Sequence, residues 1–404
     1  MMKTLFRNFI ELHRGYDLPK NKRISGDFPI VSSTGIVGKH NSYKVKGPGV
    51  ITGRSGTIGK VIFEKGCFWP LNTTLFVSDF KGNDPKYVYY WLQCFDLKHY
   101  TTGSTVPTLN RNDLSNLIID VPTINEQRKR REILEILDAK IATNIEISQQ
   151  LESMVKTIYD YWFLQFEFPD KDGKPYKSNG GKMIWNDQLK QEIPEGWEVK
   201  PLKSLINNVK SGAWGKEKEE KDYIQKVNCI RGADFPGLMS SNDLNIPVRY
   251  IRTKDGKKLL SNGDLIVEIS GGSPTQSTGR ISYINSVTLK RFKNPITTSN
   301  FCKAISLENK EFQYWFYLTW DNFYRHGIFF NYEGKTTGIK NLMFKSFIST
   351  NIIIPDNETM HEFYNKASKI FDEIQYKALE NQQLKSLRNF LLPMLMNGQV
   401  SISD

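Results

Sequence analysis

Two long stretches of the chain carry apolar residues at helical spacing. The first runs from Ile124 to about Phe166 and contains neither Pro nor Gly, so nothing local breaks a helix. Its seam steps by threes and fours through Leu137, Ile141, Asn144, Ser148, Leu151, Val155, Ile158 and Trp162. Thr123 or Asn125 can cap the start, with Glu126 in the first turn. About 40 residues at a 1.5 Å rise predict a rod of roughly 60 Å. A rod with one narrow apolar seam needs a second helix to cover it.

The pattern supplies that helix from Glu358 to about Met396, with a seam of Phe363, Ala367, Ile370, Ile374, Asn381, Leu384, Leu387 and Leu391. Each rod follows a short hydrophobic strand ending in Pro, at Pro122 and Pro355. Each carries a similar core: Leu137, Asp138, Gln149, Gln150 and Leu151 against Phe371, Asp372, Gln382, Gln383 and Leu384. A recurrence at this separation indicates a duplicated half rather than a short-period solenoid. Asn144 and Asn381 fall on the seams, where a buried polar residue fixes register at a cost in stability.

Between the rods the alternation changes. Residues 1–122 open on a helical start, TLFRNFIELHRG. Strands and tight turns follow at FPIVSSTGIVG, GVITGRSGTIGKVIF and LNTTLFVSDF, then a helix at DPKYVYYWLQCFDLKHY and a polar loop at GSTVPTLNRNDL. Residues 168–193 are rich in Pro, Gly, Lys and Asp and read as a connector. Residues 194–355 repeat the first half with larger insertions. The predicted order is globule (1–122), rod (123–167), linker (168–193), globule (194–355), rod (356–397) and tail (398–404). The fold class is α+β: two globular α/β domains in pseudo-twofold repeat, joined by two long antiparallel coiled-coil helices.

Length, 404 residues, fits two domains plus connectors. The 39% hydrophobic share supports packed cores, and mean hydropathy is −0.46. A net charge of +12 suits a polyanionic partner. Cys67, Cys94, Cys229 and Cys302 lie far apart with no metal-ligand spacing, so they read as buried thiols in a reducing compartment. No signal peptide opens the chain and no window approaches 18 apolar residues, so the expected location is cytoplasmic, away from any membrane.

Candidate chemistry is excluded piece by piece. In GRSGTIGKV the glycines at 53, 56 and 59 step by three, and Val61 follows Lys60 where a phosphate loop needs Ser or Thr. A β-hairpin with tight turns is expected instead. Asp170, Lys171, Asp172 and Gly173 open like a calcium loop, but the later ligands are missing, and a turn is expected. The five histidines have no acidic or Cys partner at catalytic spacing. Asn294-Pro295-Ile296-Thr297 fails the pattern of an amino-methyltransferase. The chain is expected to be non-catalytic and without a cofactor or metal.

A binding surface remains. Lys39, His40, Lys44, Lys46, Arg54 and Lys60 cluster in the first half; Arg231, Arg249, Arg252, Lys254, Lys257, Lys258, Arg280, Lys335 and Lys340 do so in the second. Lys and Arg neutralise phosphates, while Asn, Gln, Ser and Arg read base edges. The basic run Arg128 to Arg131 is expected on the outer face of its rod. The first rod ends in aromatics on every face, so Tyr159, Trp162, Phe163 and Phe166 await a partner protein or the second globule.

These residues resemble a family. GRSGTIGKV, GSTVPTLNRNDLSNLIIDVP with NEQRKRREILEILDAKI, FPDKDGKPYKSNGGKMIW and IPEGWEVKPL are similar, over nearly the whole chain, to the DNA-specificity subunit of type I restriction-modification systems. The resemblance implies two target recognition domains, each reading half of a split site on double-stranded DNA, and two antiparallel helices fixing the gap. It implies no catalytic residues. It also implies methyltransferase (modification) subunits as partners, two of them, and restriction (motor/endonuclease) subunits through them. DNA-facing residues are then expected at Lys39, His40, Arg54, Ser55, Ser104 and Thr105 in the first globule. In the second they are expected at Ser273, Gln276, Arg280, Lys335 and Thr336. The second half departs from the pattern, with EISGGSPTQSTGR in place of GRSG. The alternative is an assembly or anti-restriction scaffold that does not read DNA.

Overall fold

A computed structural model describes residues 1–103, 107–239, 244–273, 275–336 and 338–400. The chain falls into two units, residues 1–140 with 384–404, and residues 141–383. Each unit contains a stretch of both long helices, Ile124–Tyr159 and Asn357–Met396.

In the first unit, Met2–Leu5 pairs with Ile118–Val121 as an antiparallel ribbon. A four-stranded sheet runs in the order Glu11–Arg14, Thr74–Asp79, Gly49–Gly53, Val61–Glu64. A three-stranded sheet runs Gly35–His40, Phe28–Ser32, Trp69–Pro70, its last pairing parallel. The second unit repeats the plan. Its ribbon is Glu198–Pro201 with Asn351–Ile354. Its four-stranded sheet runs Ile206–Ser211, Cys302–Leu307, Leu265–Glu268, Ile281–Tyr283. Its three-stranded sheet runs Val248–Arg252, Tyr223–Ile230, Ile296–Thr298, again ending in a parallel pair. The start of the chain is thus strand, one helical turn at Phe6–Phe9, and strand, where the spacing predicted a helix. Phe6 and Phe9 point to one side of that turn and are buried against Trp91, which mimics helical periodicity over too short a run.

The aromatic-rich helices hold the cores. Pro85–Cys94 begins at Asp84, whose carboxylate accepts from the Lys86 and Tyr87 N–H groups at 3.0 and 2.9 Å. It buries Tyr87, Tyr90 and Trp91. Gln313–Arg325 buries Trp315, Phe316 and Trp320 in the second unit.

The long helices form where the pattern placed them and run antiparallel. Thr123 and Glu126 cap the first reciprocally: Glu126 Oε2 accepts from the Thr123 N–H at 3.0 Å, and Thr123 Oγ1 accepts from the Glu126 N–H at 3.5 Å. Asp356 caps the second through the Thr359 N–H at 2.8 Å. Arg130 Nη1 donates to the Leu395 carbonyl at 3.0 Å and Arg388 Nη1 to Asp138 Oδ1 at 2.9 Å, both in the first unit. In the second unit Asn144 Nδ2 donates to Asn381 Oδ1 at 2.9 Å, and Asn381 Nδ2 to the Ile141 carbonyl at 3.3 Å. Both asparagines are 0% exposed.

Two seam expectations are corrected. Leu387 is 46% exposed; Arg388, one position on, turns inward to Asp138. The basic run is not all on the outer face: Arg130 is buried at Leu395, and Arg131 Nη1 reaches Asp84 Oδ2 at 2.8 Å.

Of the two covers expected for the aromatic end of the first rod, the second globule supplies it and the partner-protein reading is corrected. After Tyr159 the chain makes a π turn over Asp160–Leu164 and leaves at Phe166 with φ +64. Tyr159, Trp162, Phe163 and Phe166 are all buried in the second unit's core. Phe163 meets Phe363 edge-on at 4.8 Å and Phe166 meets Trp197 edge-on at 5.6 Å. Their faces are filled from within the chain, so they are not a partner-binding surface. The connector contributes too: Phe168 stacks on Trp197 at 5.0 Å and on Tyr176 at 4.5 Å. Asp170 forms the expected turn, accepting from the Asp172 and Lys174 N–H groups at 2.9 Å each.

Replacing Asn381 alone by Leu removes one of the two acceptors of the Asn144 amide, the other being Glu380 Oε2 at 2.9 Å, and the donor to the Ile141 carbonyl, and should destabilise the protein by about 1–3 kcal/mol. Asn144→Leu with Asn381→Leu should recover most of that loss, read as a coupling energy in denaturant unfolding. A second outcome concerns Glu152, whose carboxyl is pushed above the ordinary range by burial, opposed by nearby Lys156 and reinforced by Asp321. Its folded form therefore holds a proton more tightly than the unfolded chain. Its contribution is present at acid pH and is lost as pH rises through the raised value. Glu152→Gln should stabilise the protein at pH 8 relative to wild type, by about 1 kcal/mol or less, and should give no gain near pH 4. Thermal unfolding at the two pH values checks this.

Candidate nucleic-acid interface

In the first unit three loops meet at one end of the paired sheets. The turn after Gly49–Gly53 runs through Arg54 to Lys60, with Gly56 and Gly59 at φ +82 and +90. Gly53 admits no side chain, since a Cβ there would lie 1.8 Å from the Thr57 carbonyl oxygen. Lys60 Nζ donates to the Thr34 carbonyl at 2.5 Å, tying this turn to the tip of the Phe28–His40 hairpin. Arg54 Nε donates to the Asn72 carbonyl at 3.1 Å, tying it to the third loop, where Asn72 Nδ2 also bonds Asp17 Oδ1. Ser55 bridges Thr108. Lys98 packs against Gly59, so Arg54, Lys60 and Lys98 gather on this surface. Lys and Arg placed at a loop cluster suit phosphate contacts.

The second unit builds the same frame with other side chains. The Arg54 and Ser55 N–H groups both donate to the Thr73 carbonyl, at 2.8 and 3.2 Å; the Ile269 and Ser270 N–H groups both donate to the Phe301 carbonyl, at 2.8 and 3.3 Å. The Leu109 N–H donates to the Arg54 carbonyl at 2.8 Å, and the Leu342 N–H to the Ile269 carbonyl at 2.9 Å. The Leu71 N–H donates to the Val31 carbonyl, and the Ser299 N–H to the Ile230 carbonyl, both at 2.8 Å. These bonds place Glu268 where Gly53 stands, Ile269 for Arg54, Phe301 for Thr73, and Asn300 for Asn72. The EISGGSPTQSTGR segment is therefore the counterpart of the GRSG turn, with a longer excursion after it.

The expected DNA-facing residues divide. Lys39 is exposed, and Arg54 and Ser55 sit on the loop cluster. His40 does not face outward: it is 5% exposed, edge-on to Trp69 at 5.2 Å, with Nδ1 against the Ile24 backbone. It anchors the hairpin base. Ser104 and Thr105 lie outside the described residues. Ser273 caps its own turn through the Gln276 N–H at 3.2 Å, leaving Gln276 exposed. The backbone of Lys335 and Thr336 lies in the Glu333–Thr336 strand, paired with Ile339–Leu342. Arg280 is bound within the fold: its guanidinium meets both Glu268 oxygens at 2.8 Å, which raises its pKa above the ordinary value. It orients Glu268 rather than reaching outward.

Other second-half cations are paired in the same way. Arg231 grips Asp234 at 2.9 Å, Arg249 meets Glu217 at 3.0 Å, Arg252 meets Asp255 at 3.1 Å, and Lys340 meets Glu333 at 3.2 Å. Sequence reasoning missed Asn72, Asn300, Glu268 and Phe301. The available signal was the Asn shortly before the strands Thr74–Asp79 and Cys302–Leu307, in LNTTLF and in TSNFCK.

Among the described residues no group of three or more His, Cys, Asp and Glu side chains could hold a metal, and no helix is long and apolar enough to cross a membrane. Burial pushes the Cys229 and Cys302 thiols up to about 12, the behaviour of inert core thiols.

Residues 7–153 and 194–388 each match the family described as type I restriction modification DNA specificity domain. The type I restriction enzyme MjaIX specificity subunit of Methanocaldococcus jannaschii is 25% identical over 380 residues, covering 89% of this chain and 79% of its own. The HindI specificity subunit of Haemophilus influenzae is 22% identical over 347 residues, covering 74% and 72%. A crystal structure of the type I system S subunit from M. genitalium shares the fold, with a TM-score of 0.60 at 15% identity over 98% of this chain and 95% of that one. With both repeats matched over well more than half its length, the chain belongs to the type I restriction-modification DNA specificity family.

Proposed function

We propose that the chain is the DNA-reading and assembling subunit of a type I restriction-modification complex. Each unit reads one half of a split sequence on double-stranded DNA, and the two long helices set the gap. The chain carries no methyl-transfer or cutting chemistry of its own. It holds adenine methyltransferase subunits, two of them, one for each repeat, and through them the ATP-dependent restriction subunits. It works in the cytoplasm, where the DNA is. The observation that supports this reading best is the twice-built frame of backbone hydrogen bonds, which displays different side chains in its two copies. One geometry presenting two sets of contacts is what two unlike half-sites require.

The test is to express the chain with a modification subunit of its own system and map adenine methylation across the genome. The expected outcome is a split motif with a spacer of fixed length. A stable complex that leaves no such motif would overturn the reading in favour of a scaffold that does not read DNA. The purified complex should also lose affinity steeply with salt. A protein neutralising six or more phosphates falls roughly a thousandfold between 50 and 200 mM. Equilibrium binding over that range, on a duplex carrying the motif, checks it.

A further inference from the structure

The second unit contains a half-open cleft of about 500 Å³ at the position of the first unit's Arg54 turn. Its walls are Trp214, Phe301 and Ile339, its floor is Glu268 beside Gly232, and Asn300 stands at the rim. Phe301 is 55% exposed, an unusual setting for a large apolar ring. Glu268 is buried at the base, and its carboxylate is held flat by the two bonds from Arg280. Gly232 is required there, because a Cβ at that position would lie 2.2 Å from Glu268 Oε1. The Trp214 ring is backed by the Arg249 guanidinium at 4.1 Å, and the Trp214 N–H donates to Asn300 Oδ1 at 3.3 Å. That bond leaves the Asn300 amide N–H group without a partner among the described residues.

Comparison of the two repeats points to what the cleft takes. Their frames share backbone hydrogen bonds, and the Asn at this corner is present in both. The substitutions around it are Gly53 to Glu268, Ser33 to Gly232, Asp17 to Trp214 and Thr73 to Phe301. The repeats therefore differ around this corner, at the buried pairs Gly53/Glu268 and Ser33/Gly232 and at the more exposed pairs Asp17/Trp214 and Thr73/Phe301. A cleft with a carboxylate acceptor at its base, an amide donor at its rim and flat apolar walls matches the edge of a nucleobase. A carboxylate accepts from an exocyclic amino group and offers nothing to a keto oxygen. The neighbouring cations Arg231, Arg249 and Arg280 are all paired with carboxylates, so phosphate attraction is a poor account of this surface.

We propose that this cleft is the specificity pocket of the second half-site. It receives the edge of a base bearing an exocyclic amino group, adenine N6 or cytosine N4, in double-stranded DNA. Glu268 is the acceptor, Asn300 the second contact, and Phe301 packs against the base. Arg280 is a positioning residue that fixes the orientation of the carboxylate. The inference rests on the DNA-reading function proposed above.

The experiment uses the assembled methyltransferase complex and the split motif that wild type establishes by genome-wide adenine methylation. Absence of a motif from wild type defeats the DNA-reading function itself. Given a motif, Asn300→Ala and Phe301→Ala should each relax one position of one half-site, with discrimination there falling roughly ten- to a hundredfold. The other half-site and the spacer should stay unchanged. Glu268→Gln adds a donor and should shift preference at that position toward a keto-bearing base, a change that loss of packing alone does not produce. If Glu268→Gln unfolds the unit by stranding Arg280, Asn300→Ala decides, because that side chain is exposed and packs in no core. An unchanged motif in Asn300→Ala and Phe301→Ala, or equal loss in both half-sites, overturns the proposal.

Discussion

Neither long helix can bury its seam alone, and the rest of the chain is arranged around that fact. A 36-residue and a 40-residue helix with one apolar edge each are stable only as a pair. Apolar seams tolerate sliding, since one Leu replaces another along the groove. Asn144 and Asn381 remove that freedom. Each is fully buried, and a shift by one turn would break the bond between them.

Both units then grip the helices through polar side chains as well as core packing. In the first, Asp138 accepts from the Tyr90 hydroxyl at 2.7 Å and from Arg388, linking the aromatic-rich helix to both rods. In the second, the matching Asp372 accepts from Asn285 Nδ2 at 2.8 Å. Arg291, which is buried, donates to the Leu238 carbonyl and to Gln375 Oε1 at 2.7 Å each. Burial lowers that guanidinium to about 10. A cation so placed is costly to strand, so it enforces one docking of globule on helix.

What could be read before the structure follows from physical range. Periodicity over 40 residues is a local signal, and it located both rods, their seams and the duplication. The cap at Thr123 is local as well. Leu387 against Arg388 failed because a seam drifts by one position where a partly exposed ion pair replaces an apolar contact. The tail aromatics failed as a partner surface because their cover, Phe363 and Trp197, comes from distant sequence. His40 and Arg280 show the same limit in the interface. A basic residue in a polar loop reads alike whether it faces solvent or a buried partner, and only Trp69 and Glu268 tell them apart. Asn72 and Asn300 stand out only through the backbone bonds that the two repeats share.

That matching has an evolutionary consequence. The frame at the loop cluster is held by main-chain groups, which every amino acid except proline supplies. Side chains displayed from it can therefore change without removing the bonds that hold it in place. Exposed positions such as Asn300 and Phe301 are free to vary at little cost to folding, whereas Glu268, Arg280 and Gly232 must change together. Such a scaffold allows a lineage to acquire a new DNA address in single mutational steps at the rim, while larger switches of address call for coordinated replacement of the pocket floor or exchange of a whole half.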